Sequence, residues 1–549
     1  MSLKNPVETL LQWAKERPNQ VWLHQPVNGV WKTYTWAECE AQVRSMATAL
    51  RNLGLPAGAR IAISGRNTAH WFLADMAIAM AGYVSVGLYP KQSVDAVKYI
   101  FKHSETKAVF VGPMPDPQEF MDALPAGVVT IAFPYADVPA CDKNWDDLVR
   151  ASEPFAGYQP PDIKSLITLI YTSGTTGNPK GVMITGENMM FAANGLVKAM
   201  PAHGQERFFS YLPLAHAFER GAVELASIYF GAEVFFLENL EKLAEQLKEV
   251  APTRFFGVPL VYGRIQTGVL KKMPQEKLDR LMKIPLLSSL IKKKIKQGIG
   301  LQNARYLFVG AAPMPIPLMN WFQKIGITVL QGYGMTENNI YATANLPKAN
   351  RVGSVGRAMP GADMRIAEDG EIQYKHPGVT PGYYKDAEKT AELFTADGWL
   401  RTGDKGRIDE DGYLFITGRT KDIFKTLKGK YVAPAPIEGA LSRNTDIDQL
   451  CFVGAGLKQP IMVITLTDPA RQKARPEVEK QLVADMAAVN ATLEPHEEIA
   501  KIVVAKDAWT IDNNIMTPTM KVKRNEVEKR YLALLEQHAG DHKTKVVWE

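Results

Sequence analysis

The chain has 549 residues, 46% of them hydrophobic and 22% charged, which indicates a soluble globular protein with several domain-sized units. A net charge of only +6 and the lack of a clear nucleic-acid-binding motif argue against a DNA or RNA partner. The three cysteines are scattered without metal-ligand spacing, and the first residues lack the apolar core of a signal peptide, so the composition favours a cytoplasmic protein.

Strand-like and helix-like segments alternate in the first part of the chain. Strands are predicted over residues 60–64, 83–88 and 107–111, and a helix over residues 69–81. The most hydrophobic stretch, residues 71–88, contains Asp75 and several small residues, which favours a buried helix and strand over a membrane span. Such alternation predicts α/β layers, with ligands bound near the ends of the strands.

A glycine-rich loop follows the next predicted strand, residues 165–170, and precedes another over residues 182–185. Its glycines allow backbone N–H groups to point at an anion, its hydroxyl groups add donors, and Lys180 adds positive charge. It is not a Walker loop, because Lys180 lies between Pro179 and Gly181 instead of before a serine or threonine that opens a helix. Glycine and threonine also build ordinary hairpin loops, but the whole string predicts a phosphate-binding loop: Tyr171, Thr172, Ser173, Gly174, Thr175, Thr176, Gly177, Asn178, Pro179, Lys180, Gly181 and Val182.

This string resembles the phosphate-binding signature of the acyl-adenylate-forming superfamily, which includes acyl-CoA synthetases, adenylation domains of peptide synthetases and luciferases. Further motifs follow in the family's order from about residue 8 to residue 530. The resemblance implies that a carboxylate attacks the α-phosphorus of ATP and expels pyrophosphate, and that a thiol then displaces AMP. It also implies ATP, Mg²⁺ and coenzyme A as cofactors, and an α/β fold with a large multi-subdomain N-terminal domain and a small α+β C-terminal lid.

Residues 212–220, which read Leu-Pro-Leu-Ala-His-Ala-Phe-Glu-Arg, resemble this segment in long-chain acyl-CoA synthetases. The resemblance places His216 near the incoming carboxylate, although a lone histidine is more often a packed or surface residue. Bacterial relatives can carry a gating tryptophan just after this histidine, and this segment has none. The implied substrate is a medium- or long-chain fatty acid.

Residues 271–296 contain nine lysines and arginines but only two acidic residues, a local net charge of +7. Helical spacing predicts an apolar stripe formed by Leu287, Leu290, Ile291 and Ile295, with Lys292, Lys293, Lys294 and Lys296 mostly off it. We favour a solvated helix face. The alternative is docking to an anionic membrane, at its inner face, or to the phosphates of CoA.

Two further glycine motifs follow predicted strands over residues 305–309 and 327–330. Each alone would read as a turn, but their order after the phosphate loop favours a nucleotide site. By resemblance, Tyr333 flanks the adenine, Thr336 contacts the α-phosphate, and Glu337 helps to hold Mg²⁺ together with Thr172. The remaining nucleotide-contacting positions implied by the resemblance are Gly310, Ala311, Ala312, Gly332, Gly334 and Met335.

A hairpin over residues 399–416, with its turn at 409–412, precedes a polar segment suited to a linker. The resulting domain prediction is an adenylation domain over residues 1–417, a hinge over 418–421 and a lid over 422–549. By resemblance, Asp404 binds the ribose hydroxyls, Arg419 contacts the nucleotide, and Lys421 occupies the hinge position. An aspartate after a glycine is otherwise often only a turn residue.

The last motifs lie in the predicted lid. Residues 516–524 match the segment that carries the adenylation lysine, and Lys521 is the chosen residue over Lys523. By resemblance, Lys425 and Gly429 face the active site in a second lid orientation. Two rival functions remain open: a ligase that passes the acyl group to a carrier-protein thiol, and a non-catalytic nucleotide-binding scaffold. The oligomeric state is not predicted.

Overall fold

The computed structural model describes residues 4–172, 178–427, 429–444, 446–517, 521–538 and 544–549. Its helices, in chain order, are α1 (Pro6–Glu16), α2 (Trp36–Asn52), α3 (Ala69–Met80), α4 (Val94–Ser104), α5 (Pro117–Asp122), α6 (Trp145–Ala151), α7 (Gly186–Ala199), α8 (Ala217–Glu219), α9 (Ala226–Phe230), α10 (Leu243–Val250), α11 (Pro259–Lys272), α12 (Gln275–Met282), α13 (Pro285–Gly298), α14 (Ile316–Lys324), α15 (Ala387–Leu393), α16 (Pro434–Leu441), α17 (Asp468–Arg471), α18 (Arg475–Asn490) and α19 (Arg524–His538). A π-helix spans Arg220–Leu225, and 3₁₀ helices span Leu240–Lys242 and Thr336–Asn338.

The strands, in chain order, are β1 (Val21–Val27), β2 (Val30–Thr35), β3 (Arg60–Ser64), β4 (Val84–Leu88), β5 (Ala108–Val111), β6 (Val129–Ala132), β7 (Lys143–Asn144), β8 (Leu166–Thr172), β9 (Lys180–Thr185), β10 (Arg207–Ser210), β11 (Glu233–Phe236), β12 (Arg254–Gly257), β13 (Tyr306–Val309), β14 (Leu330–Tyr333), β15 (Thr343–Ala344), β16 (Arg357–Ala358), β17 (Asp363–Ile366), β18 (Glu371–Lys375), β19 (Leu400–Ile408), β20 (Leu414–Arg419), β21 (Phe424–Lys425), β22 (Tyr431–Val432), β23 (Ile447–Val453), β24 (Ile461–Leu466), β25 (Ile502–Val504) and β26 (Val546–Trp548).

Two large sheets, largely parallel, form the first part of the molecule, which is α/β as predicted. One has the strand order β7-β6-β5-β3-β4-β8-β9 and the other β16-β15-β14-β13-β12-β10-β11-β1-β2. Helix α3 packs against both, and nearly all its side chains are buried. Phe72 of α3, for example, lies edge-on to Phe236 of β11, with ring centroids 5.1 Å apart. A helix enclosed on all sides must be apolar on all faces, which confirms the buried helix and strand predicted for residues 71–88.

The small sheet β17-β18-β19-β20 is antiparallel and carries the predicted hairpin. Strands β19 and β20 pair across a turn at residues 409–412, so the hairpin prediction is confirmed. Gly418 and Arg419, the first two residues of the predicted linker, belong to β20 and pair with β19. Cross-strand hydrogen bonds thus extend β20 into residues whose polar sequence had suggested an unpaired linker.

The C-terminal part has its own sheet, β23-β24-β25-β26, and a short hairpin, β21-β22. Helices α16, α18 and α19 pack around that sheet, and strands β24 and β25 are fully buried. Both apolar clusters here draw all their members from residues between Phe424 and Trp548. A self-contained core of this kind is expected of a small α+β domain; the boundary at residues 418–421 remains a prediction.

Most predicted strands are confirmed within one or two residues, among them β3, β4, β5, β8, β9 and β13. The strand predicted over residues 327–330 is wrong in position, because β14 begins at Leu330 and continues through Tyr333. Its second half pairs antiparallel with β15, so Gly332 continues the sheet instead of forming a turn. Among the described residues, no helix is both long and apolar enough to cross a membrane.

Candidate active site

The predicted phosphate loop connects the antiparallel strands β8 and β9, where Thr172 is paired with Lys180. Ser173, Gly174, Thr175, Thr176 and Gly177 lie outside the described residues. The ammonium of Lys180 lies 4.8 Å from the ring centroid of Tyr383, a cation–π distance. Tyr383 in turn forms an isolated β-bridge with Val182 of β9. The lysine that follows the loop is therefore held against the segment after β18.

Glu337 lies in the 3₁₀ helix after β14 and is buried. One of its carboxylate oxygens, Oε1, accepts a 2.8 Å hydrogen bond from the Tyr383 hydroxyl, and its backbone carbonyl accepts one from Thr380. The preceding Gly334 must be glycine, because a Cβ there would lie 2.5 Å from the carbonyl oxygen of Ile340. Tyr383 thus links Glu337 to Lys180.

Asp404 lies on β19 directly opposite Arg419 of β20. Its Oδ1 accepts a 2.9 Å hydrogen bond from Arg419 Nε, and its Oδ2 accepts a 2.6 Å hydrogen bond from the Tyr333 hydroxyl. Asp404 is 5% exposed, and its charge raises the pKa of Arg419. Tyr333, Asp404 and Arg419 therefore form one hydrogen-bonded group between β14 and the small antiparallel sheet.

The segment Gly310, Ala311 and Ala312 follows β13 directly. Ala311 has a φ of +65°, a left-handed conformation that non-glycine residues rarely adopt and that is found often at functional sites. A Cβ on Gly310 would lie 3.3 Å from the ring of Phe218. This turn is therefore packed closely against the segment that carries His216.

His216 is the N-cap of the short helix α8, and its Nδ1 accepts a 3.2 Å hydrogen bond from the Phe218 backbone N–H. Burial and the nearby charge of Lys521 lower the pKa of His216 to about 3. The ring is therefore neutral near pH 7. Because Nδ1 acts as the acceptor, the ring proton is on Nε2.

A buried ionic group anchors this segment. The Nη2 nitrogen of Arg220 donates to both carboxylate oxygens of Asp75, at 2.5 and 2.6 Å, and to the Ser85 hydroxyl at 2.7 Å. Its Nη1 nitrogen donates to the Thr168 hydroxyl at 2.6 Å. Arg220 also begins the π-helix, a rare conformation that often marks a functional region. The segment is thus tied to α3, β4 and β8.

Glu219 provides a second anchor for the same segment. Its Oε1 accepts hydrogen bonds from the Ser210 hydroxyl at 2.7 Å and from the Tyr211 backbone N–H at 3.0 Å. Burial raises the pKa of Glu219 to about 8. The two residues that follow Phe218 are therefore fixed, Glu219 to β10 and Arg220 to β4 and β8 of the seven-stranded sheet.

Lys521 comes from the C-terminal domain. Its backbone N–H donates to the Thr517 hydroxyl at 3.0 Å, and its carbonyl accepts from the Thr517 N–H at 2.8 Å. The half-buried side chain is near the charges of Arg419, Asp404 and Glu337. Burial, reinforced by the positive charge of Arg419, lowers the pKa of Lys521 to about 8, although Asp404 and Glu337 oppose the shift.

The two domains enclose one cleft of about 3200 Å³, which is lined by the predicted site residues together. These are Thr172, Lys180, His216, Gly310, Ala311, Ala312, Gly332, Tyr333, Gly334, Met335, Thr336, Glu337, Asp404, Arg419 and Lys521. Lys425 and Gly429 do not belong to this lining; Lys425 is exposed, with its ammonium 5.5 Å from the Tyr431 ring centroid. The structure thus brings the predicted adenylation residues together and leaves those of the second lid orientation outside.

The described residues contain no group of three or more His, Cys, Asp or Glu side chains that could hold a metal ion by themselves. The donors predicted for Mg²⁺, the Glu337 carboxylate and the Thr172 hydroxyl, both belong to residues that line the cleft. Mg²⁺ usually binds through one or two carboxylates plus substrate phosphates and waters, without an all-protein cage. The residues present therefore fit a Mg²⁺ ion that is bound mainly by the phosphates of a nucleotide.

Comparison with known proteins assigns the family. Residues 10–384 match the family described as AMP-binding enzyme, and residues 421–539 match the AMP-binding enzyme C-terminal domain. The chain belongs to the AMP-binding enzyme family. It is an adenylate-forming ligase, as the motifs implied.

The relatives of this AMP-binding enzyme include long-chain-fatty-acid–CoA ligases. FadD15 of Mycobacterium bovis, which has that name, is 29% identical over 97% of this chain and 96% of its own length. AEE15 of Arabidopsis thaliana, a chloroplastic long-chain-fatty-acid–[acyl-carrier-protein] ligase, is 27% identical over 95% of this chain and 85% of its own. Among solved structures, the anthranilate CoA ligase AuaEII in complex with anthranoyl-AMP has a TM-score of 0.80 at 20% identity, covering 98% of this chain and 99% of that one. The last comparison establishes the common fold.

Several residues of the enzyme's site were not found from the sequence. Tyr383 carries no motif signal, because its contact with Glu337 joins residues 46 positions apart. Asp75, the partner of Arg220, did have a sequence signal, since it is the only charged residue in the apolar stretch 71–88. An ion pair of 2.5 Å between Lys91 and Asp512 joins the two domains beside the cleft. Neither of its members lies in a recognisable pattern.

Proposed function

We propose that the enzyme is an ATP-dependent fatty acid–CoA ligase for medium- and long-chain acids. A fatty acid carboxylate attacks the α-phosphorus of ATP and expels pyrophosphate, and the thiol of CoA then attacks the acyl-adenylate and expels AMP. One observation carries the proposal: Lys521 of the C-terminal domain shares a cleft with Glu337 and Asp404 of the large domain. This is the arrangement that the first half-reaction requires.

The first step brings an anion against a polyanion. Two unit charges 4 Å apart repel by about 4 kcal/mol at an effective dielectric constant of 20, so the site needs preorganised positive charge and hydrogen-bond donors. Lys180 and Lys521 supply the charge, and the Nε2–H of neutral His216 supplies a donor for the carboxylate. Glu337 and Thr172 would hold Mg²⁺ together with phosphate oxygens, and the ion would neutralise further charge.

Asp404 and its partners form the ribose site. A buried carboxylate that already accepts two strong hydrogen bonds is fixed in position, so it meets an incoming ribose without reorganisation. The ribose hydroxyls would replace the Tyr333 hydroxyl as the donor to Oδ2 or share that oxygen with it. Adenine would then lie beside Tyr333 and the turn that contains Ala311.

The proposal of a long acyl chain rests on the apolar part of the cleft and on the relatives' names. Apolar side chains from several elements line the same cleft as His216: Leu196, Met200, Phe218, Ala222, Phe256, Phe308, Ile340 and Met359. Binding pockets for apolar ligands are lined in this way, with few polar groups. FadD15, which matches nearly the whole chain, is named for a long-chain substrate.

The thioester step requires a second orientation of the C-terminal domain. In the present arrangement Lys521 occupies the cleft, whereas Lys425 and Gly429 lie outside its lining. Rotation about residues 420–421, just after β20, would withdraw Lys521 and bring the face with Lys425 to the cleft; such rotations concentrate the backbone change in a few hinge residues. The rival acceptor is a carrier-protein thiol, which the similarity to AEE15 keeps in consideration.

The test is pyrophosphate release measured with straight-chain acids from two to eighteen carbons, with CoA, with a phosphopantetheinylated carrier protein and with neither. We expect kcat/KM to rise by up to about fourfold for each methylene that becomes buried, and turnover to require CoA. A preference for acetate or for an aromatic acid over dodecanoate would contradict the chain-length assignment. Faster turnover with the carrier protein than with CoA would assign the rival acceptor.

A further inference from the structure

The second half of the basic segment is helix α13, and its packing differs from the sequence prediction. Ile291 and Ile295 are buried and Leu287 packs partly against the same core, as predicted. Leu290 is 59% exposed, however, so its placement in the buried stripe is wrong. The helix packs through the 287–291–295 side, which leaves Leu290 one step around the helix towards solvent.

The exposed face of α13 combines apolar and basic side chains. Leu286 is 86% exposed and Ile284, just before the helix, is 51% exposed. Positions 286, 290, 293 and 297 follow one another at helical spacing, so Lys293 lies on the face of the two leucines, and exposed Lys294 lies beside it. Lys292 and Lys296 point elsewhere, over the turn at Gly326.

The two acidic residues of the basic segment, Asp279 and Glu276, do not pair with the lysines of this face. Asp279 is bound to Lys324 of α14 at 2.6 Å, and Glu276 is paired with Arg280 of its own helix at 3.7 Å. Both acidic side chains are thus engaged by cations other than Lys293 and Lys294. The face of Leu286, Leu290, Lys293 and Lys294 is therefore both apolar and cationic.

We propose that this face, together with Ile284, docks onto an anionic lipid bilayer. We call it the α13 surface: Ile284, Leu286, Leu290, Lys293 and Lys294. Leucines of a surface helix enter the boundary between headgroups and acyl chains, and lysines beside them bind anionic headgroups. A nucleic acid would use the lysines but not the three exposed apolar side chains.

The alternative predicted from the sequence, contact with the phosphates of CoA, fits the α13 surface less well. Of the described residues that line the cleft, Lys271 at the end of α11 belongs to the basic segment, but Lys293 and Lys294 are not among them. Helix α11 lines the cleft from Pro259 to Lys271, and the basic segment continues from its end through α12 to α13. The basic segment thus connects one wall of the cleft to the α13 surface along the chain, while the α13 surface itself lies outside the cleft lining. The proposal does not depend on which acid the enzyme prefers.

The test is co-sedimentation of the full chain with two kinds of vesicle, one of phosphatidylcholine alone and one of phosphatidylcholine with about 30% phosphatidylglycerol. We expect binding to the anionic vesicles that weakens with added salt, because the lysine contribution is screened. Leu286→Ser with Leu290→Ser should weaken this binding roughly tenfold or more, since both side chains lose their buried area in the bilayer. Lys293→Gln with Lys294→Gln should weaken it roughly tenfold, and only for anionic vesicles.

Matched controls are available elsewhere on the chain. Leu240 is 71% exposed, and Lys143 and Lys164 are exposed near the seven-stranded sheet. Leu240→Ser and the pair Lys143→Gln with Lys164→Gln should bind vesicles as the unaltered chain does, and all variants should retain pyrophosphate release with a short soluble acid. Equal binding by the α13 variants, or no vesicle binding by the unaltered chain, would overturn the proposal. If the unaltered chain does not bind vesicles and the α13 variants lose self-association, the α13 surface contacts a second copy of the chain. That result would also overturn the proposal.

Discussion

The two domains hold their active-site groups in different ways. In the large domain, Glu337 accepts a hydrogen bond from Tyr383, and Asp404 accepts hydrogen bonds from Tyr333 and from Arg419 at its edge. Lys521 of the small domain is instead placed by its own backbone bonds to Thr517 and by the position of the whole domain. One half of the site is thus fixed by local packing, and the other half depends on how the domains are arranged. Perturbations of the two halves should therefore affect different steps.

The largest effect is expected for Lys521→Ala. Acyl-adenylate formation should slow by roughly 10²- to 10³-fold, the scale for losing one preorganised electrostatic contact to developing charge. Conversion of supplied acyl-AMP and CoA to the thioester should continue, because Lys521 has to leave the cleft for that step. Single-turnover assays of each half-reaction measure both.

The control for this variant is Lys523→Ala. Lys523 is two residues away, and its ammonium is bound to Asn514 Oδ1 at 2.6 Å. Its removal should leave both half-reactions near their original rates. Equal damage to both steps by Lys521→Ala would show that the two halves of the site do not act separately.

Local relationships in the site were predictable from the sequence, and relationships across the fold were not. The hairpin that carries Asp404 was predicted from its strands and its turn, but Arg419, which pairs with Asp404, was predicted in the linker. The contact between Tyr383 and Glu337 depends on how distant segments pack, which no periodicity records. The extension of β14 to Tyr333 likewise depends on pairing with β15. Helical spacing identified the apolar positions of α13 but not which of them, such as Leu290, would remain in solvent.

A smaller effect, confined to the nucleotide, is expected for Asp404→Ala. Charge-assisted hydrogen bonds to a ribose contribute roughly 1.5–3 kcal/mol each, so the KM for ATP should rise by about 10- to 100-fold while the KM for the acid changes little. Steady-state kinetics with each substrate varied in turn measure this. Asp397→Ala is the control, because Asp397 pairs with Arg365 and does not line the cleft. An unchanged KM for ATP would place the ribose elsewhere.

The pH dependence should separate the same two halves. Lys521 stabilises negative charge only when protonated, and its pKa is lowered to about 8, so kcat/KM for adenylation should fall as pH rises through this value. Between pH 7 and pH 9 the protonated fraction falls about tenfold for a pKa of 8. The thioester half-reaction should lack this decline. In Lys521→Arg any residual adenylation should not decline between pH 7 and pH 9, because a guanidinium remains protonated over this range. If the rate still declines, the titrating group is not Lys521.

The smallest effect is expected at the ion pair between Lys91 and Asp512. Its removal tests whether this contact helps to set the arrangement of the two domains. The pair joins the domains at 2.5 Å, but both side chains are partly exposed, so its contribution should not exceed ~1 kcal/mol, or roughly fivefold. Lys91→Glu should lower the rate of adenylation by up to about that factor, because it disfavours the present arrangement of the domains. The thioester step should be unchanged or slightly faster. Asp512→Lys should do the same, and the double exchange should restore the original ratio of the two rates, because it reverses the pair without removing it.

A double-mutant cycle on the two half-reactions isolates this coupling from the effects of each single change. Additive effects in the double variant would show that the pair does not hold Lys521 in the cleft, and that packing of the domains alone sets its position.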